Sequence, residues 1–161
     1  ENSTFVQNKF WMWAVTSRDI STDSLLLQVN IQRFAADEII DFLRRLYTEF
    51  DSYCGLLDIY KIETIGDAYI VAGGLHKPSE FHCLQVAWMS LLMMEASARN
   101  HTPSGTEIKI RVGLHSGEVL AGIVGFKQPR YCLFGNNCAV ANKFESLSEE
   151  KRVHVSPVTK K

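Results

Sequence analysis

Two hydrophobic periods run along this 161-residue chain, and the change from one to the other marks the predicted elements. Over residues 36–54, apolar positions recur three and four residues apart with charged residues between them, which predicts an amphipathic helix. Gly55 stops that pattern. Residues 56–65 and 68–72 then alternate as strands, and the Gly-Asp dipeptide between them predicts a tight hairpin.

The second half of the chain continues to alternate helices and strands. Pro78 and Ser79 predict the start of a second helix, whose broad apolar set indicates that it is largely buried. In the next strand, alternation turns Ile110 and Val112 inward and Arg111 outward. The further predicted elements are strands at Glu107–Leu114, Glu118–Val124, Tyr131–Phe134 and Arg152–Ser156, broken at His115–Gly117, and a helix at Ala139–Leu147.

The first 33 residues carry the weakest pattern. Phe10–Val15 is compatible with a buried strand and Ser24–Ile31 is a second apolar run, but clear turn residues bound neither. We therefore divide the chain into a divergent N-terminal segment, 1–33, and one domain, 34–161. Strands and helices that alternate around an inserted hairpin predict an α+β sandwich of ferredoxin-like type, with helices packed on an antiparallel-rich sheet.

Composition excludes several functional classes. Hydrophobic residues make up 46% of the chain, enough for a real core, and the net charge of −1 argues against a nucleic-acid or anionic-membrane binder. No run reaches the roughly 20 apolar residues of a membrane span. Four cysteines form no CxxC pair, which favours reduced thiols and a cytoplasmic protein. The histidines are scattered, so a bound haem is not expected.

Three positions could carry chemistry. Asp67 in the hairpin turn suits Mg²⁺, although Gly-Asp is also simply a good turn. Glu63 on the same hairpin either faces water or accepts two hydrogen bonds from guanine, one from N1–H and one from the N2 amino group. Adenine has no such pair of donors on that edge. Cys132, beside Arg130, is either a buried thiol or part of a binding site.

Several longer segments, taken jointly, show a family resemblance that covers about residues 36–156. They include Tyr60-Lys-Ile-Glu-Thr-Ile-Gly-Asp-Ala-Tyr69, Arg111-Val-Gly-Leu-His-Ser-Gly117 and Lys127-Gln-Pro-Arg-Tyr-Cys-Leu-Phe-Gly-Asn136. The chain resembles the catalytic domain of class III nucleotide cyclases, closest to the alpha-type chains of soluble guanylate cyclase. The resemblance implies conversion of GTP to cyclic GMP and pyrophosphate with two Mg²⁺ or Mn²⁺ ions, in an active site built between two chains.

Carried over position by position, the resemblance divides the site. Asp67 matches the second metal carboxylate, and Glu63 and Cys132 match the pair that reads guanine. Ala139 stands where the family has an asparagine that orients the ribose. Lys143 stands where it has a transition-state arginine, although it still lies at a nucleotide-binding position. The resemblance thus implies an alpha-type half that needs a beta-type partner.

Two departures leave an alternative open. No string of this chain matches the family's first metal-bearing strand, and ungapped counting places Asp23 at that carboxylate, with Asp19 as a second candidate. The family also continues with further strands after Val153–Ser156, so the chain is interpreted as a fragment with an incomplete C-terminus and an atypical N-terminus. The alternative is a catalytically silent cyclase-homology module that dimerises and regulates.

Overall fold

The computed structural model describes residues 6–17, 36–65, 68–102, 105 and 107–160. Within them, strands and helices alternate as the sequence predicts. In chain order they are β1 (Val6–Ser17), α1 (Ala36–Leu56), β2 (Ile59–Ile65), β3 (Ala68–Gly73), α2 (His82–Arg99), β4 (Ile110–Val124), β5 (Arg130–Phe134), α3 (Asn136–Ser146) and β6 (Val153–Val155). None of the described helices is long and apolar enough to cross a membrane.

The strands form one mixed sheet in the order β2-β3-β1-β4-β5, and β6 pairs with the other end of β4. Neighbours along the main path are antiparallel, whereas β6 runs parallel to β4. Helices α1 and α2 connect β1 to β2 and β3 to β4, which gives the split β-α-β arrangement of ferredoxin-like folds. The predicted α+β sandwich is confirmed.

Strand β1 holds the centre of this sheet. Its backbone pairs with β4 from Val6 to Ser17 and with β3 from Trp11 to Val15. The predicted strand at Phe10–Val15 is therefore real and longer than expected, and it belongs to the same sheet as the rest of the chain. The apolar run Ser24–Ile31 lies outside the described residues, and the predicted boundary at residue 33 stays a prediction.

The main core lies between the sheet and the helices α1 and α2. Fully buried side chains from both layers meet there, among them Phe50, Tyr69, Met89 and Val112. One expectation was wrong: α2 is buried on one face only, because Leu84, Trp88 and Leu91 are each more than half exposed. Its apolar set is broader than the face that contacts the core.

Strand β4 is continuous from Ile110 to Val124, so the predicted break at His115–Gly117 was wrong. The glycines serve helix packing instead of a turn. A Cβ atom on Gly113 would lie 2.2 Å from the backbone nitrogen of Glu145 in α3, and one on Gly117 would lie 2.3 Å from the Asn137 side chain. Glycine in a strand often marks such a close approach.

Arg111 points away from the main core as predicted, but α3 covers the face of β4 on which it lies. Its side chain is not solvated but about one-tenth exposed, and it pairs with the buried carboxylate of Glu145 at 2.9 Å. On the same face, His115 contacts Asn137 of α3 and Ser156 beyond β6, each at 3.0 Å. Because Asn137 donates through Nδ2 to the Glu118 carbonyl, its Oδ1 accepts from Nε2–H of His115.

We expect Gly113→Ala to destabilise the domain by about 2 kcal/mol or more, because the added methyl meets helix backbone that cannot move aside. The matched control is Gly55→Ala near the end of α1, where an added Cβ meets nothing within 4 Å. That variant should be neutral or stabilising by about 0.5–1 kcal/mol. Urea midpoints of the two variants check this, and equal midpoints would contradict the close approach of α3.

Candidate functional site

The β2–β3 hairpin carries Glu63, the candidate base-reading carboxylate. Lys61 pairs with Val71 and Glu63 pairs with Ile70, so the register shifts between them and Ile62 is the extra residue of a β-bulge. Glu63 is partly exposed. A carboxylate in such a position is accessible to a ligand and can accept two hydrogen bonds.

Cys132 lies on β5, across from Gly122 of β4. Alternation turns it away from Tyr131 and Leu133, which pack into a second apolar cluster with Ala72 and Val119. Its Sγ lies 3.7 Å from the carbonyl oxygen of Arg130.

One ring contact bridges the strands of the two candidate base-reading residues, although β2 and β5 lie at opposite ends of the sheet path. The rings of Tyr60 and Tyr131 meet edge to face at a centroid distance of 5.5 Å. Burial raises the pKa of the Tyr131 phenol, with a smaller contribution from Tyr60, so the ring stays neutral. Tyr60, on the strand of Glu63, and Tyr131, on the strand of Cys132, thus meet in the second apolar cluster.

The candidate metal carboxylates Asp67 and Asp23 lie outside the described residues, as does Asp19. The central strand beside the hairpin, Val6–Ser17, contains no aspartate or glutamate. Within the described part of the chain, no three His, Cys, Asp or Glu side chains group closely enough to hold a metal ion. The described residues therefore do not form a metal site by themselves.

Helix α3 presents the two positions at which the family that the chain resembles has an asparagine and an arginine. Ala139 and Lys143 are both exposed, and their four-residue spacing places them one above the other on the same helix face. A methyl group there makes no hydrogen bond, and an ammonium group lacks the planar fork of arginine. This face is accessible to a second molecule but carries little chemistry.

A polar cluster that sequence reasoning missed lies beside the hairpin. The Asp51 carboxylate on α1 accepts from Lys61 Nζ at 2.8 and 3.1 Å and from the Tyr69 hydroxyl at 2.5 Å. Burial, and then the hydrogen bond to Asp51, raises the pKa of Tyr69 far above its usual range, so the phenol remains a neutral donor. The three residues come from separate elements, and no local pattern pairs them.

The hairpin between β4 and β5 exposes a group of large apolar side chains. Phe126 at its tip is fully exposed, and Ile123 and Val124 on β4 and Phe134 on β5 are each more than two-fifths exposed. Large exposed apolar side chains grouped on one hairpin indicate a surface that contacts another protein.

The chain is similar to known proteins in both sequence and fold. The profile of the adenylate and guanylate cyclase catalytic domain matches residues 19–161. Guanylate cyclase soluble subunit alpha-1 of Bos taurus is 60% identical over 122 residues, and subunit alpha-2 of Homo sapiens is 57% identical over the same length. These matches cover 76% of this chain but 18% and 17% of those proteins, so the chain spans less than one-fifth of their length.

A beta-type relative is more distant, and solved structures share the fold. Guanylate cyclase soluble subunit beta-2 of Rattus norvegicus is 46% identical over 121 residues, which is 74% of this chain and 18% of that protein. The guanylate cyclase domain of RhGC from Catenaria anguillulae, solved in complex with GTP, superposes with a TM-score of 0.86 at 28% identity. That superposition covers 97% of this chain and 81% of the other.

The profile match extends over most of the chain, and the structure superposes closely on a solved guanylate cyclase domain. This chain belongs to the adenylate and guanylate cyclase catalytic domain family.

Proposed function

We propose that this chain is the alpha-type half of a heterodimeric guanylate cyclase, which converts GTP to cyclic GMP and pyrophosphate with a beta-type chain. The observation that carries the proposal is the exposed face of α3, where Ala139 and Lys143 replace groups that orient substrate. A chain that lacks these groups needs a partner that supplies them. The identity to alpha-type subunits supports the same assignment.

Guanine selection is the part of the reaction assigned to this chain. Glu63 would accept hydrogen bonds from N1–H and the N2 amino group of the base, and Cys132 would contribute the second reading group. Adenine has no donor pair on that edge, so ATP would leave the carboxylate unpaired. Sites built around such hydrogen bonds reject analogues that lack them far more strongly than apolar pockets do.

The chemical step closes a ring on the nucleotide. The 3′-oxygen loses its proton and bonds to the α-phosphorus, and the bond from that phosphorus to the pyrophosphate leaving group breaks. Mg²⁺ or Mn²⁺, the cations expected from the family resemblance, would neutralise charge on the phosphates when bound. Asp67 and Asp23 are our candidate ligands in this chain, and we assign no further step to them. No haem is assigned to this domain.

The partner surface includes the exposed apolar group at the β4–β5 hairpin. Phe126, Ile123 and Phe134 would be removed from water by a beta-type chain, which is the favourable direction for apolar surface. We assign the assembly to the cytoplasm, since all four cysteines are free thiols. We assign it no nucleic acid or membrane as a partner.

One observation favours a second candidate, a silent pairing module. The central strand Val6–Ser17 supplies no carboxylate next to the hairpin, although the family resemblance implies a metal ligand on its first strand. If neither Asp19 nor Asp23 replaces that ligand, the chain would pair with its partner without supporting catalysis. The two candidates differ in metal-dependent activity and not in fold or pairing.

The purified chain alone should make negligible cyclic GMP, because each missing transition-state contact removes a factor of about 10²–10³ in rate. In complex with a beta-type chain it should turn over Mg²⁺- or Mn²⁺-GTP. Asp41→Asn in the complex serves as control and should change little, because it breaks only an exposed ion pair with Arg44 on α1. Robust cyclic GMP production by the isolated chain would refute the half-site assignment.

Asp67→Ala should abolish cyclic GMP production by the complex while leaving its midpoint of thermal unfolding within a few degrees. Asp23→Asn should reduce activity about as severely if Asp23 is the first metal carboxylate, because one of the two charges that would hold the ions near the phosphates is lost. Glu107→Gln, which breaks an exposed ion pair with Lys151, is the control. A wild-type complex that assembles but shows no metal-dependent turnover would favour the silent module.

A further inference from the structure

The direction of Glu63 depends on the β-bulge that precedes it. In a regular strand, residues two apart point to the same face, so Glu63 would follow Lys61 toward the helices. The register shift changes this: Lys61 pairs with Val71, which is buried under the helices, while Glu63 pairs with Ile70 on the opposite face. The bulge at Ile62 therefore turns Glu63 away from α1 and α2.

Contacts of Asp51 hold both strands at this bulge. On β2, Lys61 is the last residue before the register shift, and both oxygens of Asp51 accept from its ammonium group. On β3, Tyr69 is adjacent to Ile70, the pairing partner of Glu63, and its hydroxyl donates to the same carboxylate. The Lys61 ammonium group also lies 4.9 Å from the centroid of the Tyr69 ring. One side chain of α1 thus fixes the two strands that hold Glu63.

Stability alone does not account for this arrangement. The Lys61 and Asp51 side chains are 35% and 48% exposed, and ion pairs at such exposure contribute about 0–1 kcal/mol. Tyr69 is fully buried, so its hydroxyl needs an acceptor there. The cluster therefore adds little free energy through its ion pair but restrains the bulge from two sides.

We infer that Asp51 is a positioning residue that, through Lys61 and Tyr69, fixes the bulge at Ile62 and so directs Glu63 for guanine selection. The inference rests on the proposed function, in which Glu63 reads the base. It adds that base selectivity is set by a carboxylate on α1 that does not itself touch the nucleotide.

The test measures kcat/KM for GTP and for ATP in the complex with a beta-type chain. Lys61→Met keeps the aliphatic stem over Tyr69, and Asp51→Asn keeps an acceptor for its hydroxyl, so both variants should fold. Each should lower the GTP-to-ATP ratio of kcat/KM by between about tenfold and a hundredfold, since small displacements of a positioned group have effects of this size. A merely stabilising role would lower the unfolding midpoint and leave the ratio unchanged.

Glu107→Gln is the matched control, because Lys151 contacts both oxygens of Glu107 at 2.7 Å in a similarly exposed pair that lies outside the strands of the sheet. It should leave the ratio unchanged. Glu63→Gln reports on the proposed function separately: if this variant keeps the wild-type ratio, Glu63 does not read the base. If it lowers the ratio while Asp51→Asn and Lys61→Met do not, the positioning role is overturned.

A second measurement decides the anchoring independently of activity. Amide hydrogen exchange of the complex, followed by mass spectrometry, should be faster in peptides covering 59–65 for both Asp51→Asn and Lys61→Met. In both variants, peptides from β4 should exchange as in the wild type. In Glu107→Gln, peptides covering 59–65 should also exchange as in the wild type. Unchanged exchange at 59–65 in both variants would overturn the inference even if the complex proves inactive.

Discussion

The hydrogen bonding of β1 on both of its edges is the constraint on which the rest of the structure depends. Val6–Ser17 joins β3 on one side and β4 on the other, so it connects the β2–β3 hairpin to the β4–β5 hairpin. The two hairpins carry Glu63 and Cys132, the candidate base-reading residues. Without β1, the described sheet would separate into two parts, and no common site could form between them.

Structural and chemical roles separate in this strand. β1 has the position and length of a central strand, yet it has no acidic residue to offer beside the hairpin. Helix α3 shows the same separation. It packs closely against Gly113 and Gly117 of β4, while Ala139 and Lys143 on its outward face are exposed. The sheet and helices of the family are thus present, whereas β1 carries no acidic residue and the outward face of α3 carries an alanine and a lysine.

How much of the fold follows from sequence depends on whether the deciding contacts are local. The helix that begins at Ala36 and the hairpin around residues 66–67 were predicted because their periods and turn residues are local signals. The break predicted at His115–Gly117 was wrong because the glycine at its end allows a close approach of α3, which is distant in sequence. Arg111 was predicted only to point outward, since alternation cannot show that α3 covers that face.

The candidate site shows the same limit. Glu63 and Cys132 were selected through family resemblance, and the structure adds what resemblance cannot show, namely which face each side chain occupies. The face of Glu63 is set by a bulge that the sequence does not indicate, because Ile62 is an ordinary strand residue. The bulge in turn is held by Asp51, ten residues before Lys61 and on another element. On our proposal, selectivity for a base depends on tertiary contacts as well as on the residue that reads it, so motif matching locates Glu63 without determining its direction.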